Sequence, residues 1–223
     1  GGLVRSYSVL GAMVRLEEAG FRPHVITGSS SGALLGVLAA ALGVRGAYSV
    51  ARGIGEGGHR SWVHFLRPGS WSRLGWGRGR GLVSFRPMAD WLEATSGFHR
   101  LEDLPVTTGV CVTDLATWRP RFLASGPLGP AVAASCSLPL SQAIVLEDGR
   151  ACVDGALTAN LPVRLCRQLG AARILALDGI TDPLRTASPD PECVTPALPA
   201  AAPRSPREPD TRPDYWLRMG APG

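Results

Sequence analysis

Residues 23–43 read Pro23-His24-Val25-Ile26-Thr27-Gly28-Ser29-Ser30-Ser31-Gly32-Ala33-Leu34-Leu35-Gly36-Val37-Leu38-Ala39-Ala40-Ala41-Leu42-Gly43. A short β-branched run, Val25 to Thr27, enters Gly28-Ser29-Ser30-Ser31-Gly32 and leaves as an apolar stretch of helical composition. That order puts Ser30 at a strand-to-helix turn, the arrangement of a G-x-S-x-G nucleophile elbow. The two glycines have a physical task there, because so sharp a turn leaves no room for side chains two residues either side of the serine. Ser30 is then held at the tip, beside a helix N-terminus.

Working outward, the chain has 223 residues, enough to bury roughly 70% of its unfolded surface in one α/β core without disulfides or metal. No stretch reaches the roughly 20 uninterrupted apolar residues of a membrane span, and Ala33 to Leu42 is too short for one. The net charge of +5 is spread among mixed signs, which predicts mild attraction to anionic surfaces and no dedicated nucleic-acid binding. Five cysteines, Cys111, Cys136, Cys152, Cys166 and Cys193, form no C-x-x-C pair and leave an odd count. They read as reduced, buried thiols of a cytoplasmic protein, with no metal and no cofactor expected. No secretory signal is visible at the N-terminus, which opens on Gly1-Gly2.

In chain order, Val9, Leu10, Met13, Val14 and Leu16 form a helical pattern closed at Gly20. After the elbow the helix runs to about Leu42, Gly43 ends it, and Val44 to Ile54 reads as a further short helix. Residues 55–82 interleave Trp62, Trp71 and Trp76 with Arg60, Arg67, Arg73, Arg78 and Arg80 among glycines. Such a segment suits a lid packed on the domain; contact with a membrane surface through residues 60–80 is the second reading and nucleic-acid stacking a remote third. Helical pattern returns from Phe85 to Leu92, and Thr107 to Val112 reads as a buried strand with Arg121 to Ala124 as its neighbour. Residues 130–139 form a small-residue helix stopped by Pro139. Ala151-Cys152-Val153 is a strand leading to Asp154-Gly155, a helix follows from Asn160 to near Gly170, and Arg173 to Leu177 is the last strand. The domain is assigned to residues 1–182. Residues 183–223, rich in Pro, Ala and Arg, form a flexible tail in which Tyr215-Trp216-Leu217 docks back.

A serine nucleophile needs a base. The four histidines, His24, His59, His64 and His99, all precede Asp154, so a triad ending in a late histidine is excluded. The remaining candidates are strand-end carboxylates. Asp154 lies between apolar Val153 and Gly155-Ala156, where partial burial would raise its pKa towards that of a useful base. Asp114 and Asp178 compete for the same role. No G-x-x-x-x-G-K-[ST] loop occurs, and no G-x-G-x-x-G follows a strand.

Five stretches together carry a resemblance: Gly1-Gly2-Leu3-Val4-Arg5-Ser6 before a helix ending at Gly20, Gly28 to Ala33, Thr113-Asp114-Leu115, Ala134-Ser135-Cys136-Ser137-Leu138-Pro139, and Asp154-Gly155-Ala156 followed by Asn160-Leu161-Pro162-Val163. In this order the chain resembles the patatin-like phospholipases from residue 1 to about 180. The resemblance implies a three-layer α/β/α fold around a central, mostly parallel sheet, and a Ser30–Asp154 pair acting without histidine on lipid or related carboxylic esters. It also implies an oxyanion hole from Gly1, Gly2 and Ser31, with Arg5 stabilising charge near that loop. Leu3 and Ser6 stand where the family has glycines, so lipid or partner binding with little or no turnover is the alternative expectation. Pro139 is followed by Leu140-Ser141-Gln142 in place of the family's usual aromatic and prolines.

Overall fold

The computed structural model describes residues 6–56, 84–138, 141, 143–178 and 215–218. Gly1, Gly2, Leu3, Arg5, the Trp/Arg segment from 57 to 83, Pro139 and residues 183–213 lie outside the described residues, and with them the expectations placed there.

Helix α1 (Ser6–Glu18) turns Leu10 fully inward and ends in a Schellman closure, with Gly20 N–H donating to Glu17 O and Phe21 N–H to Leu16 O, both at 2.9 Å. Strand β1 (Val25–Ser29) leads through Ser30 into α2 (Ser31–Glu56). The expected break at Gly43 is present as a kink (φ 73°, ψ 164°), after which the helix resumes. Because it resumes, α2 is longer than the Ala33–Leu42 run suggests, and by length and composition it suffices to cross a membrane. Its apolar side is spent inside the fold, where Val37, Leu38 and Ala47 are fully buried. The small residues that give α2 its apolar character also let it lie low on the sheet. A Cβ at Gly36 would stand only 3.0 Å from Ile26 Cγ2.

Helix α3 (Arg86–Ser96) begins with Pro87 in its first turn and ends at left-handed Gly97. Strand β2 (Thr107–Asp114) is buried at every position after the first, which is why its sequence is β-branched and small on both faces. It is followed by β3 (Arg119–Leu123), then α4 (Leu128–Cys136), β4 (Ile144–Val145) and β5 (Ala151–Asp154). Two short helices, α5 (Ala156–Ala159) and α6 (Val163–Gln168), precede β6 (Leu175–Asp178). Strand β7 (Tyr215–Arg218), in the region expected to be tail, pairs in parallel with β6.

The mixed α/β architecture with helices flanking a central sheet is as expected. Its parallel character lies in β1–β2, while β3, β5 and β4 add in antiparallel, so the described sheet is mixed. Strand β3 pairs with Val110–Asp114 of β2, which leaves the other edge of β2 to be shared by two strands. Strand β1 occupies it from Thr107 to Cys111, and β5 occupies it from Val112 to Asp114, running the opposite way. The two strands therefore meet end to end, with Ser29 opposite Cys111 and Asp154 opposite the adjacent Val112.

The main core lies on one face of this sheet, where α2, α3 and α4 enclose Val110 and Val112. On the other face α6 comes so close that a Cβ at Gly109 would meet Leu165 Cδ2 at 2.7 Å, and Val163, Cys166 and Ile174 form a second cluster. Burying each such aliphatic side chain contributes roughly 1.5–3 kcal/mol, so both faces of β2 are held by packing.

Candidate active site

The end-to-end meeting of β1 and β5 places the residue after Ser29 against the last residue of β5. Ser30 Oγ donates a hydrogen bond to Asp154 Oδ2 at 2.7 Å, the length of a charge-assisted contact. Ser30 itself has φ 56°, one of two left-handed non-glycine residues among those described. Its carbonyl accepts the Ala33 and Leu34 N–H groups at 2.9 and 3.2 Å, so the strained residue is also the entry point of α2. The glycine argument holds at Gly28, where an added Cβ would stand 2.3 Å from Gly32 O and 2.5 Å from Ala33 N. Ser30 is half-buried and Ser31 is buried in the first turn of α2.

Asp154 is 2% exposed. Its second carboxylate oxygen, Oδ1, accepts the Ala156 N–H at 2.8 Å. Its carbonyl accepts a hydrogen bond from Thr113 Oγ1 at 2.8 Å, and its own N–H donates to Ser137 O at 2.9 Å. Burial raises the carboxyl above its ordinary 3.8, and the hydrogen bonds from Ala156 and Ser30 offset only part of that rise. A carboxylate that is desolvated yet still hydrogen-bonded to the serine hydroxyl has more proton affinity than a surface aspartate and is aimed at the proton it would take.

Gly155 explains how this carboxylate comes so close to the nucleophile turn. A Cβ there would lie 2.0 Å from Cys111 O and 2.6 Å from Ser29 Oγ, so only glycine lets β5 end against the end of β1.

The rival aspartates are engaged elsewhere. Asp114 Oδ2 accepts Arg150 Nη1 at 2.8 Å, and its Oδ1 accepts the Ala116 and Thr117 N–H groups at 2.9 and 3.0 Å. The Arg150 guanidinium, with these amides, holds Asp114 down to about 2, the opposite of what a base requires. Asp178 lies on β6, which pairs with β7 outside the five-stranded sheet. Among the histidines, His24 precedes β1 at the end far from Ser30, and His99 Nδ1 sits 2.8 Å from Glu93 Oε2 on the surface. The structure thus brings Ser30 and Asp154 together and pairs Asp114 with Arg150 instead. Among the described residues no group of three or more His, Cys, Asp and Glu side chains could hold a metal ion.

One contact was not legible beforehand. The Ser30 N–H donates to Ser135 Oγ at 2.8 Å, and Ser135 Oγ in turn donates to Cys111 O at 2.6 Å. Ser135 is visible in the sequence only as one small residue of the Ala134–Pro139 stretch. A lone hydroxyl in a helix of otherwise small or apolar residues, Leu128–Cys136, is the signal that could have marked it.

A serine at a strand-to-helix turn, hydrogen-bonded to a buried aspartate with no histidine between them, is a geometry open to serine-centred hydrolysis. A model of the patatin-like phospholipase family matches residues 1–167, and the chain belongs to that family of lipid hydrolases. Uncharacterised NTE family proteins of Mycobacterium bovis and Mycobacterium tuberculosis are each 27% identical over 162 residues, which cover 73% of this chain and 42% of the relative. The chain therefore spans less than half the length of the curated relatives it matches.

Proposed function

We propose that the protein is a serine acyl hydrolase that cleaves lipid or related carboxylic esters, phospholipid or lysophospholipid among them, through Ser30 and Asp154. The 2.7 Å contact between Ser30 Oγ and Asp154 Oδ2 is the observation that carries this reading. Ser30 Oγ attacks the ester carbonyl carbon while its proton passes to Asp154 Oδ2. The tetrahedral intermediate collapses, the bond to the leaving alcohol breaks, and that alcohol takes the proton from Asp154. Water then loses a proton to Asp154 and attacks the acyl-enzyme. Collapse of the second intermediate releases the acid and returns the proton to Ser30.

Gly1, Gly2 and the Ser31 amide at the start of α2 are assigned to the oxyanion hole, with Arg5 adding positive charge nearby. In a comparable hydrolase, each donor lost from such a hole costs about 3–4 kcal/mol. The Trp/Arg segment around residues 60–80 is assigned to peripheral membrane contact, and the cytoplasm to its location. Residues 1–182 are proposed as the catalytic unit.

A fluorophosphonate probe and a medium-chain nitrophenyl ester test the reading. Wild type should be labelled at Ser30 and hydrolyse the ester, while Ser30→Ala and Asp154→Asn should lose at least 10³-fold in rate. Equal labelling of wild type and Ser30→Ala would refute it. A second reading, lipid or partner binding without turnover, rests on Leu3 and Ser6 standing where the family resemblance expects glycines. Lipid binding with no detectable hydrolysis, together with a gain of activity in Leu3→Gly, would favour it.

A further inference from the structure

We propose that the last turn of α4 sets the distance between Ser30 and Asp154, and that Ser135 is the positioning residue for the nucleophile. The inference rests on the reading of Ser30 as nucleophile given above. That one turn holds the backbone on both sides of the site. Ser135 Oγ accepts the Ser30 N–H at 2.8 Å, while two residues further on Ser137 O accepts the Asp154 N–H at 2.9 Å. A longer contact of 3.4 Å, from Gly155 N–H to Ser135 O, adds to the second grip.

The direction of these bonds is determined. The Ser135 hydroxyl has a single hydrogen, and it is committed to Cys111 O at 2.6 Å. Its oxygen must therefore act as acceptor towards Ser30, whose amide can only donate. Ser135 is fully buried, so water offers no substitute partner on either side. Cys111 is also the β2 residue that stands opposite Ser29 in the parallel pairing. The hydroxyl consequently ties the nucleophile turn to the strand position from which that turn departs.

This arrangement accounts for the left-handed backbone of Ser30. A non-glycine residue at φ 56° persists only where its surroundings over-determine it, and the bond from its own N–H to Ser135 is one such constraint. It also removes the Ser30 amide from the candidates for an oxyanion donor, because that N–H points at Ser135 and not at substrate.

The test uses the full chain, with Ser135→Ala to remove the hydroxyl and Ser135→Thr to keep it. Ser96→Ala is the control. Its hydroxyl is also buried (5% exposed), and its bonds run to main chain away from the site, to Glu93 O and Phe98 O and from the Phe98 N–H. Amide hydrogen exchange at Ser30 reads the brace without any activity. Fluorophosphonate labelling and kcat and KM on a soluble ester read its catalytic effect.

In Ser135→Ala the Ser30 amide should lose protection, and labelling and kcat should fall roughly 10- to 100-fold with KM little changed, the cost of an ångström-scale misplacement. The acid limb of the pH profile should move upward, since the Ser30 hydrogen bond that lowers the Asp154 pKa is loosened. Ser135→Thr should recover most of the rate, and Ser96→Ala should keep both protection at Ser30 and rate. Unchanged Ser30 protection in a folded Ser135→Ala protein overturns the brace. Lost protection with an unchanged labelling rate overturns the positioning role. If wild type is never labelled at Ser30, the hydrolase reading falls and the positioning role falls with it, while the exchange result still decides the brace.

Discussion

Adding one methyl group at Gly155 is the most local way to separate Ser30, the proposed nucleophile, from Asp154, its proposed base. The glycine has ordinary right-handed helical dihedrals (φ −67°, ψ −23°), so alanine meets no conformational objection there. The objection is steric. Its Cβ would lie 2.0 Å from Cys111 O and 2.6 Å from Cys111 C, both main-chain atoms of the central strand. Relief to a tolerable contact of about 3 Å requires the turn after β5 to withdraw by about 1 Å. Asp154 is the preceding residue, so the 2.7 Å contact to Ser30 stretches to about 3.7 Å, beyond hydrogen-bond length. The overpacking should cost roughly 1–3 kcal/mol of stability and the misplacement about 10²-fold in rate. Kinetics on a soluble nitrophenyl ester, run beside fluorophosphonate labelling and a thermal melt, check both figures. A folded Gly155→Ala protein with wild-type kcat/KM and labelling would refute the geometric reasoning.

Three further outcomes follow from the charges and thiols. Burial raises the Asp154 pKa in the folded state above its unfolded value, so the ionised carboxylate is a stability cost that appears as pH rises through the folded pKa. Asp154→Asn should therefore melt higher than wild type at pH 8, and the gap should close on acidification; a lower melting temperature at pH 8 contradicts this. Arg150 stabilises ionised Asp114, whose pKa falls from 3.8 to about 2, so that contribution is present above 3.8 and is lost as pH falls through about 2. Arg150→Ala should melt below wild type at neutral pH and converge with it across that acid window, which a pH series of melts would show. Cys111, Cys136, Cys152 and Cys166 are buried, and burial pushes the Cys111 thiol up to about 12. None of the four should react with Ellman's reagent until the protein unfolds, and modification of Cys111 in the native state at pH 8 would refute their inertness.

The nucleophile turn was legible because its requirements are local. A β-branched run, a serine between spaced glycines and an apolar helix are all contiguous, and the structure brings them together as strand, turn and helix at Val25–Glu56. The choice among aspartates was not legible in the local pattern and came only with the family resemblance. Asp114, Asp154 and Asp178 all end strands, and what separates the first two, equally buried, is the guanidinium 36 residues away that pairs with Asp114 and the Ser30 hydroxyl that Asp154 accepts instead. The direction of β5 was equally hidden. Local periodicity shows that Ala151–Asp154 is a strand but carries no information about which edge of β2 it joins or which way it runs. Ser135 escaped notice for a related reason, since its partners Ser30 and Cys111 lie 105 and 24 positions away.

The end-to-end meeting of β1 and β5 also bears on when the site forms as the chain folds. Ser30 and Asp154 are 124 positions apart, so their contact is among the costliest in chain entropy and is rewarded only after β2 has presented an edge to both strands. A chain emerging from the ribosome completes the nucleophile turn long before the carboxylate exists. The proposed esterase activity should then return during refolding no faster than β5 docks, which would make turnover a reporter of the last strand to arrive on that edge.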